Sequence, residues 1–175
     1  FNVPIVSGNV SFYNETNGLS IYPTPMLGMV GLIESVDQTM TQWFKQEGDT
    51  ILLLGKSKED LGGSEYLKVL HHREQGSPPF LSLETEKSLH DFLLTVIREG
   101  MIQSAHDCSD GGLSVALAEC CISAPDARRG AMVTLALDTL RRDALLFGES
   151  QSRVVLSVKP ELADQVLTLA GDAGV

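Results

Sequence analysis

The densest concentration of reactive side chains is Gln103-Ser104-Ala105-His106-Asp107-Cys108-Ser109-Asp110-Gly111-Gly112-Leu113. It brings an imidazole, two carboxylates, hydroxyls, a thiol and a glycine pair into one short run. Asp107 and Asp110 offer oxygens that a hard cation such as Mg2+ accepts, and His106 is a candidate general base. Ser109 or Asp110 is expected to cap the apolar helix that follows from Leu113, since a side-chain oxygen there accepts from free N–H groups of the first turn. Gly111 and Gly112 allow either close backbone approach or an unusual turn. A helix start beside carboxylates suits a metal–phosphate ligand. The same spacing fits a well-capped helix start and a structural histidine. Both readings stand at this point.

Two more polar clusters qualify. In Ser7-Gly8-Asn9-Val10-Ser11, Gly8 permits close approach, Asn9 offers a carbonyl oxygen and Ser11 a hydroxyl. On a strand, Asn9 and Ser11 share a face. A polar outer face is the competing reading. Gly148-Glu149-Ser150-Gln151 presents acceptors just ahead of a strand, as a ligand edge or as a solvated turn. Cys108 has no evident His–Asn partners, which argues against a cysteine hydrolase. Neither a Walker A run nor GxGxxG occurs.

The elements around these clusters are mixed. The start, Phe1-Asn2-Val3-Pro4-Ile5-Val6, reads as a strand, as do Val10, Phe12 and Tyr13. Asn14–Gly18 signals a hairpin through its Asn-Gly pair. Met26–Ile33 and Thr50–Gly55 read as buried strands. The run 60–64 is a loop with a second glycine pair, and Glu65–Leu70 is a helix. Residues 84–99 should form the longest helix, with Leu89, Phe92, Leu93 and Val96 on one face and Gly100 as its stop. Met132–Leu137 and Val154–Val158 read as strands, and Pro160 opens a last helix. Strands and helices without strict alternation favour an α+β fold over a doubly wound sheet.

Composition narrows the function. With 175 residues and 43% hydrophobic content there is ample material for a core. The net charge of −10 argues against nucleic acid as a partner, which needs a basic footprint. No apolar run reaches transmembrane length, so no membrane partner is expected. Three cysteines, two of them adjacent, suggest reduced thiols and a cytoplasmic location rather than a disulfide framework. The chain lacks an initiator Met and opens inside a strand-like run, which predicts an excised piece of a larger protein.

Five stretches taken in order resemble a known family: Ser7–Glu15, Pro23-Thr24-Pro25, Leu61–Tyr66, Ser104–Leu113 and Phe147–Arg153. They resemble the C-terminal half of phosphoribosylformylglycinamidine synthase, in its separate bacterial synthetase subunit, within the aminoimidazole ribonucleotide synthetase-like superfamily. The resemblance implies that residues 1–35 end a second N-terminal sheet domain, a β-rich tail. Residues 36–175 would be a truncated second C-terminal α/β sandwich domain.

It also implies a reaction. ATP and Mg2+ activate the amide of formylglycinamide ribonucleotide, and glutamine-derived ammonia displaces phosphate to give formylglycinamidine ribonucleotide, in purine biosynthesis. By residue match, Gly8 is an ATP contact, Asn9 a Mg2+ ligand and Ser11 a substrate contact. Asp107 and Ser109 match an auxiliary nucleotide and metal site of larger fused relatives. The family's catalytic His lies in the half not present here, so no residue of this chain is assigned as catalytic and the chain alone is expected to be inactive. Implied partners are a glutaminase subunit and a small bridging subunit. A non-catalytic nucleotide-holding half is the alternative. Selenophosphate synthetase or thiamine-phosphate kinase relatives are disfavoured, because their Gly-rich, Lys-bearing N-terminal segment has no counterpart. An open sheet edge in residues 1–35 predicts self-association, as a homodimer for instance.

Overall fold

A computed structural model describes residues 3–136 and 140–175. The chain divides after Glu34 into two units.

Among its described residues the first unit holds one hairpin, β1 (Glu15–Thr16) and β2 (Leu19–Ser20), with Thr16 opposite Leu19. Asn17 and Gly18 turn it with φ of 53° and 76°, the paired positive values that an Asn-Gly hairpin turn demands. The other strands expected here do not form. Residues 3–6, 10–13 and 26–33 have no ladder partner, and Phe1 and Asn2 lie outside the described residues. Apolar composition alone does not make a strand, because its N–H and C=O groups need a neighbour and a lone hairpin is marginal. The apolar side chains stay exposed within this unit, Val30 completely so. The edge argument for a homodimer is therefore reduced to two-residue strands.

The second unit is built on an antiparallel sheet in the order β3-β5-β4, from β3 (Thr50–Leu54), β4 (Ser104–Asp107) and β5 (Val154–Val158). Every residue of β5 is buried, as befits a central strand covered on both faces. Leu52, Leu54, Val154, Leu156 and Val158 point to one face, where α2 (Leu83–Arg98) and α5 (Ala163–Asp172) cover them. Val155 points to the other, against Leu113, Ala116 and Cys120 of α3 (Gly112–Ile122) and against Phe44. Mixed helices on an antiparallel sheet make this an α+β fold.

Local signals explain most of these elements. Ser82 caps α2 by accepting from the Thr85 N–H, and Leu89, Phe92 and Val96 form its buried stripe. Gly100, with φ 66°, ends it: its N–H reaches the Ile97 carbonyl and that of Met101 reaches Val96. Ser64 caps α1 (Glu65–His71). Pro160 opens a 3-10 turn that runs into α5. Two elements depart from expectation. Residues 132–136 form no strand, and Leu137, the end of that expected strand, lies outside the described residues. A short helix, α4 (Arg142–Phe147), was not signalled.

Candidate functional site

The central stretch is a strand, a turn and a helix start. β4 carries Ser104 to Asp107, and β5 sets its register, with His106 opposite Val155 and Asp107 opposite Val154. Ser104 is buried and its hydroxyl lies 2.6 Å from that of Ser157. The His106 ring, 13% exposed, has Nε2 2.7 Å from Glu119 Oε2 on α3 and Nδ1 3.4 Å from Asp107 Oδ1. Both nitrogens face carboxylates of the chain itself, so His106 braces β4 to α3, and the general-base reading has no free nitrogen to use. Asp107 is the exposed member, 68% accessible. It accepts a hydrogen bond from the Ser109 hydroxyl, which holds its carboxyl below the usual carboxylate range.

The expected caps are not there. Neither Ser109 nor Asp110 caps α3; its N-cap is Gly111, at φ 80° with no capping side chain of its own. The Gly111 N–H instead donates to Glu149 Oε1 at 2.8 Å. The same oxygen receives the N–H of Glu65, the first residue of α1, also at 2.8 Å. One carboxylate thus serves two helix starts, where the helix dipole favours negative charge. The glycine pair does serve a close approach, but to the chain itself. A Cβ on Gly112, at φ 67°, would sit 2.4 Å from the Gly148 carbonyl oxygen.

The 148–153 loop is tied down on every side. The Glu149 N–H donates to the Asp60 carbonyl, and the Ser150 hydroxyl accepts from the Lys58 N–H. Arg153, 2% exposed, donates through Nε to the Ser150 carbonyl, through Nη2 to the Gly148 carbonyl and through Nη1 to the Ser57 hydroxyl. Burial pushes its pKa down. Ser152 donates to Glu86 on α2. This third cluster is neither a free ligand edge nor a solvated turn. Sequence reasoning missed it as a clasp, and its one visible signal was an arginine next to a strand that proved wholly buried.

The central stretch and the third cluster meet at a depression of about 300 Å3, lined among others by Glu86, His90, Asp107, Ser109 and Gln151. A larger cavity of about 880 Å3 lies against β3, beside Phe44, Leu53 and Leu117, and holds none of the expected site residues. Among the described residues no three His, Cys, Asp or Glu side chains come together as a metal site. Asp107 and Asp110 therefore gain no third carboxylate, imidazole or thiol for a shared Mg2+ among the described residues. One exposed carboxylate does suit Mg2+ that arrives with a nucleotide, because that ion keeps waters and takes phosphate oxygens. Gly8, Asn9 and Ser11 belong to the first unit, on exposed chain that is not a strand, so the shared face expected for Asn9 and Ser11 is absent. The Ser11 carbonyl accepts from Asn14 Nδ2 at 2.8 Å. The thiols are buried, which raises Cys108 to about 11 and Cys120 to about 12.

Residues 46–175 match the family described as AIR synthase related protein, C-terminal domain. The chain belongs to this family. Proteins similar to it include the phosphoribosylformylglycinamidine synthase subunit PurL of Caldanaerobacter subterraneus subsp. tengcongensis, 49% identical over 97% of this chain and 23% of that protein. The PurL subunit of Moorella thermoacetica is 50% identical over 98% of this chain and 23% of its own length. The chain thus spans about a quarter of these relatives. The fold is also that of solved Thermotoga maritima PurL. The complex with FGAR has a TM-score of 0.60 at 19% identity, over 79% of this chain and 24% of that one. The complex with ATP has a TM-score of 0.55 at 21% identity, over 79% and 22%.

Proposed function

We propose that this chain is part of a phosphoribosylformylglycinamidine synthase, the ATP-dependent ligase that makes formylglycinamidine ribonucleotide from formylglycinamide ribonucleotide and glutamine-derived ammonia. The observation that carries the reading is 49% identity to a PurL subunit over nearly the whole chain. T. maritima PurL structures with FGAR and with ATP share the fold and support it. In this reading residues 1–35 end one sheet domain, and 36–175 are the C-terminal domain of the second half.

ATP would supply a phosphoryl group and Mg2+ the charge that offsets its phosphates. From this chain, the Gly8 backbone would contact ATP, the Asn9 carbonyl would hold Mg2+ and the Ser11 hydroxyl would orient the substrate. The Asn9 and Ser11 side chains make no hydrogen bond within the chain among the described residues, which leaves them available for ligands. A glutaminase subunit and a small bridging subunit would supply ammonia, in the cytoplasm.

A second reading is favoured by the depression at Asp107 and Ser109: an auxiliary, non-catalytic nucleotide site with Mg2+. Calorimetric titration with ATP and ADP, with and without Mg2+, tests it. Mg2+-dependent binding abolished by Asp107→Asn is expected, and equal binding by that variant would overturn the site. The main reading is tested by putting the chain in place of the segment it matches in the M. thermoacetica relative. ADP release dependent on formylglycinamide ribonucleotide and ammonia is expected, falling sharply with Asn9→Ala. An active chimera indifferent to Asn9→Ala and Ser11→Ala would remove those residues from the site.

A further inference from the structure

The turn between β4 and α3 is anchored at both ends. At its start the Cys108 N–H donates to the Arg153 carbonyl at 2.9 Å. At its end, Gly111 has no capping side chain of its own, and its N–H goes to Glu149. Between them the Gly112 N–H closes on the Ser109 carbonyl at 3.0 Å. We propose that Glu149 is a positioning residue for the Asp107–Ser109 site, fixing the turn through Gly111 so that the Ser109 hydroxyl stays on the Asp107 carboxylate. The proposal rests on the auxiliary-nucleotide reading above.

The direction of control follows from what holds each partner. Glu149 is bound through its own N–H to Asp60, and it is flanked by Gly148 and Ser150, whose carbonyls the buried Arg153 guanidinium grips. It cannot follow a drifting turn. Ser109 and Asp110 are exposed, and the Ser109 hydroxyl bonds only two residues back, to Asp107, among the described residues. The turn must come to the carboxylate. Ser109 lies two residues from Gly111, within the same closed turn, so a shift at Gly111 reaches its hydroxyl directly.

The test compares Glu149→Ala and Glu149→Gln with Ser64→Ala in the 175-residue chain. Ser64 caps α1, the other helix that Glu149 serves, and does not touch Gly111. Two quantities are measured: calorimetric affinity for ADP with Mg2+, and amide hydrogen exchange at residues 108–111. Glu149→Ala should weaken binding about tenfold or more, the usual scale for losing a group that orients a ligand. It should also speed exchange at 108–111. Glu149→Gln keeps one acceptor oxygen and should fall between; it carries the comparison if Glu149→Ala does not fold. Ser64→Ala should leave both quantities unchanged. Equal effects of Glu149→Ala and Ser64→Ala, or unchanged exchange at 108–111, would overturn the proposal. Should the parent chain bind no ADP, the nucleotide reading fails, and the exchange comparison alone decides whether Glu149 holds the turn.

Discussion

Gly112→Ala and Gly100→Ala form a matched pair that isolates one close approach. The two glycines have nearly the same positive φ, 67° and 66°. An L side chain there costs about 1–2 kcal/mol at either position. The entropy that alanine removes from the unfolded chain is also the same and cancels. The surroundings differ. A Cβ at residue 100 meets nothing within 4 Å, whereas at residue 112 it lies 2.4 Å from the Gly148 oxygen and 2.9 Å from the Phe147 carbonyl carbon. Both are backbone atoms, and the Gly148 N–H is already bonded to Ala144 at the end of α4, so they yield poorly. Such overpacking adds about 1–3 kcal/mol. Gly100→Ala should therefore lose about 1–2 kcal/mol and Gly112→Ala about 2–5 kcal/mol, from a native stability on the order of 5–15 kcal/mol. Urea unfolding followed by circular dichroism measures both, with unchanged m-values showing that the loss is in stability. Equal losses would refute the argument that α3 starts hard against Gly148.

Three further outcomes follow from the same contacts. With Cys108 raised to about 11 and Cys120 to about 12, thiolate at pH 8 is on the order of one part in a thousand or less, so a thiol reagent should label these two far more slowly in the folded chain than in urea; rapid folded-state labelling would contradict their burial. Ser104→Ala should cost about 1–3 kcal/mol, because it leaves the Ser157 hydroxyl buried without its partner, and the double change with Ser157→Ala should cost less than the sum; strict additivity in a denaturation cycle would show that the pair does not interact. Asp107, with its pKa depressed in the folded chain, contributes stability above the unfolded carboxylate value of about 3.9 that is lost as pH falls through the folded value. Ser109→Ala should raise the Asp107 pKa in an NMR titration and soften that acid-side loss, and an unmoved pKa would rule out the hydroxyl as the cause.

What could be read from the residues divides along the range of the interactions. The helix over Leu83–Arg98 was legible because cap, apolar stripe and glycine stop all lie within its own sequence. The hairpin turn at Asn17-Gly18 was legible for the same reason. β4 was not, since Ser-Ala-His-Asp has no apolar alternation; pairing with β5 and the buried Ser104–Ser157 contact make it a strand. Residues 26–33 and 132–136 show the converse, strand-like composition with no partner to pair with. In the site, the glycine pair pointed to a close approach without revealing what approaches. The part played by Glu149 was invisible, because its two donors lie 84 and 38 residues away along the chain.

The strand order also sets a timetable for synthesis. β5 is central, yet it is the last of this sheet's three described strands to leave the ribosome, and Thr50 finds its partner Val158 only about a hundred residues later. At about 5–20 residues per second, β3 waits on the order of 5–20 seconds with both its neighbour and its covering helices unplaced. The apolar stripes of α2 and α3 emerge in that interval with no sheet to close on. A premature stop before Val154 removes the whole sheet at once rather than trimming one strand from it.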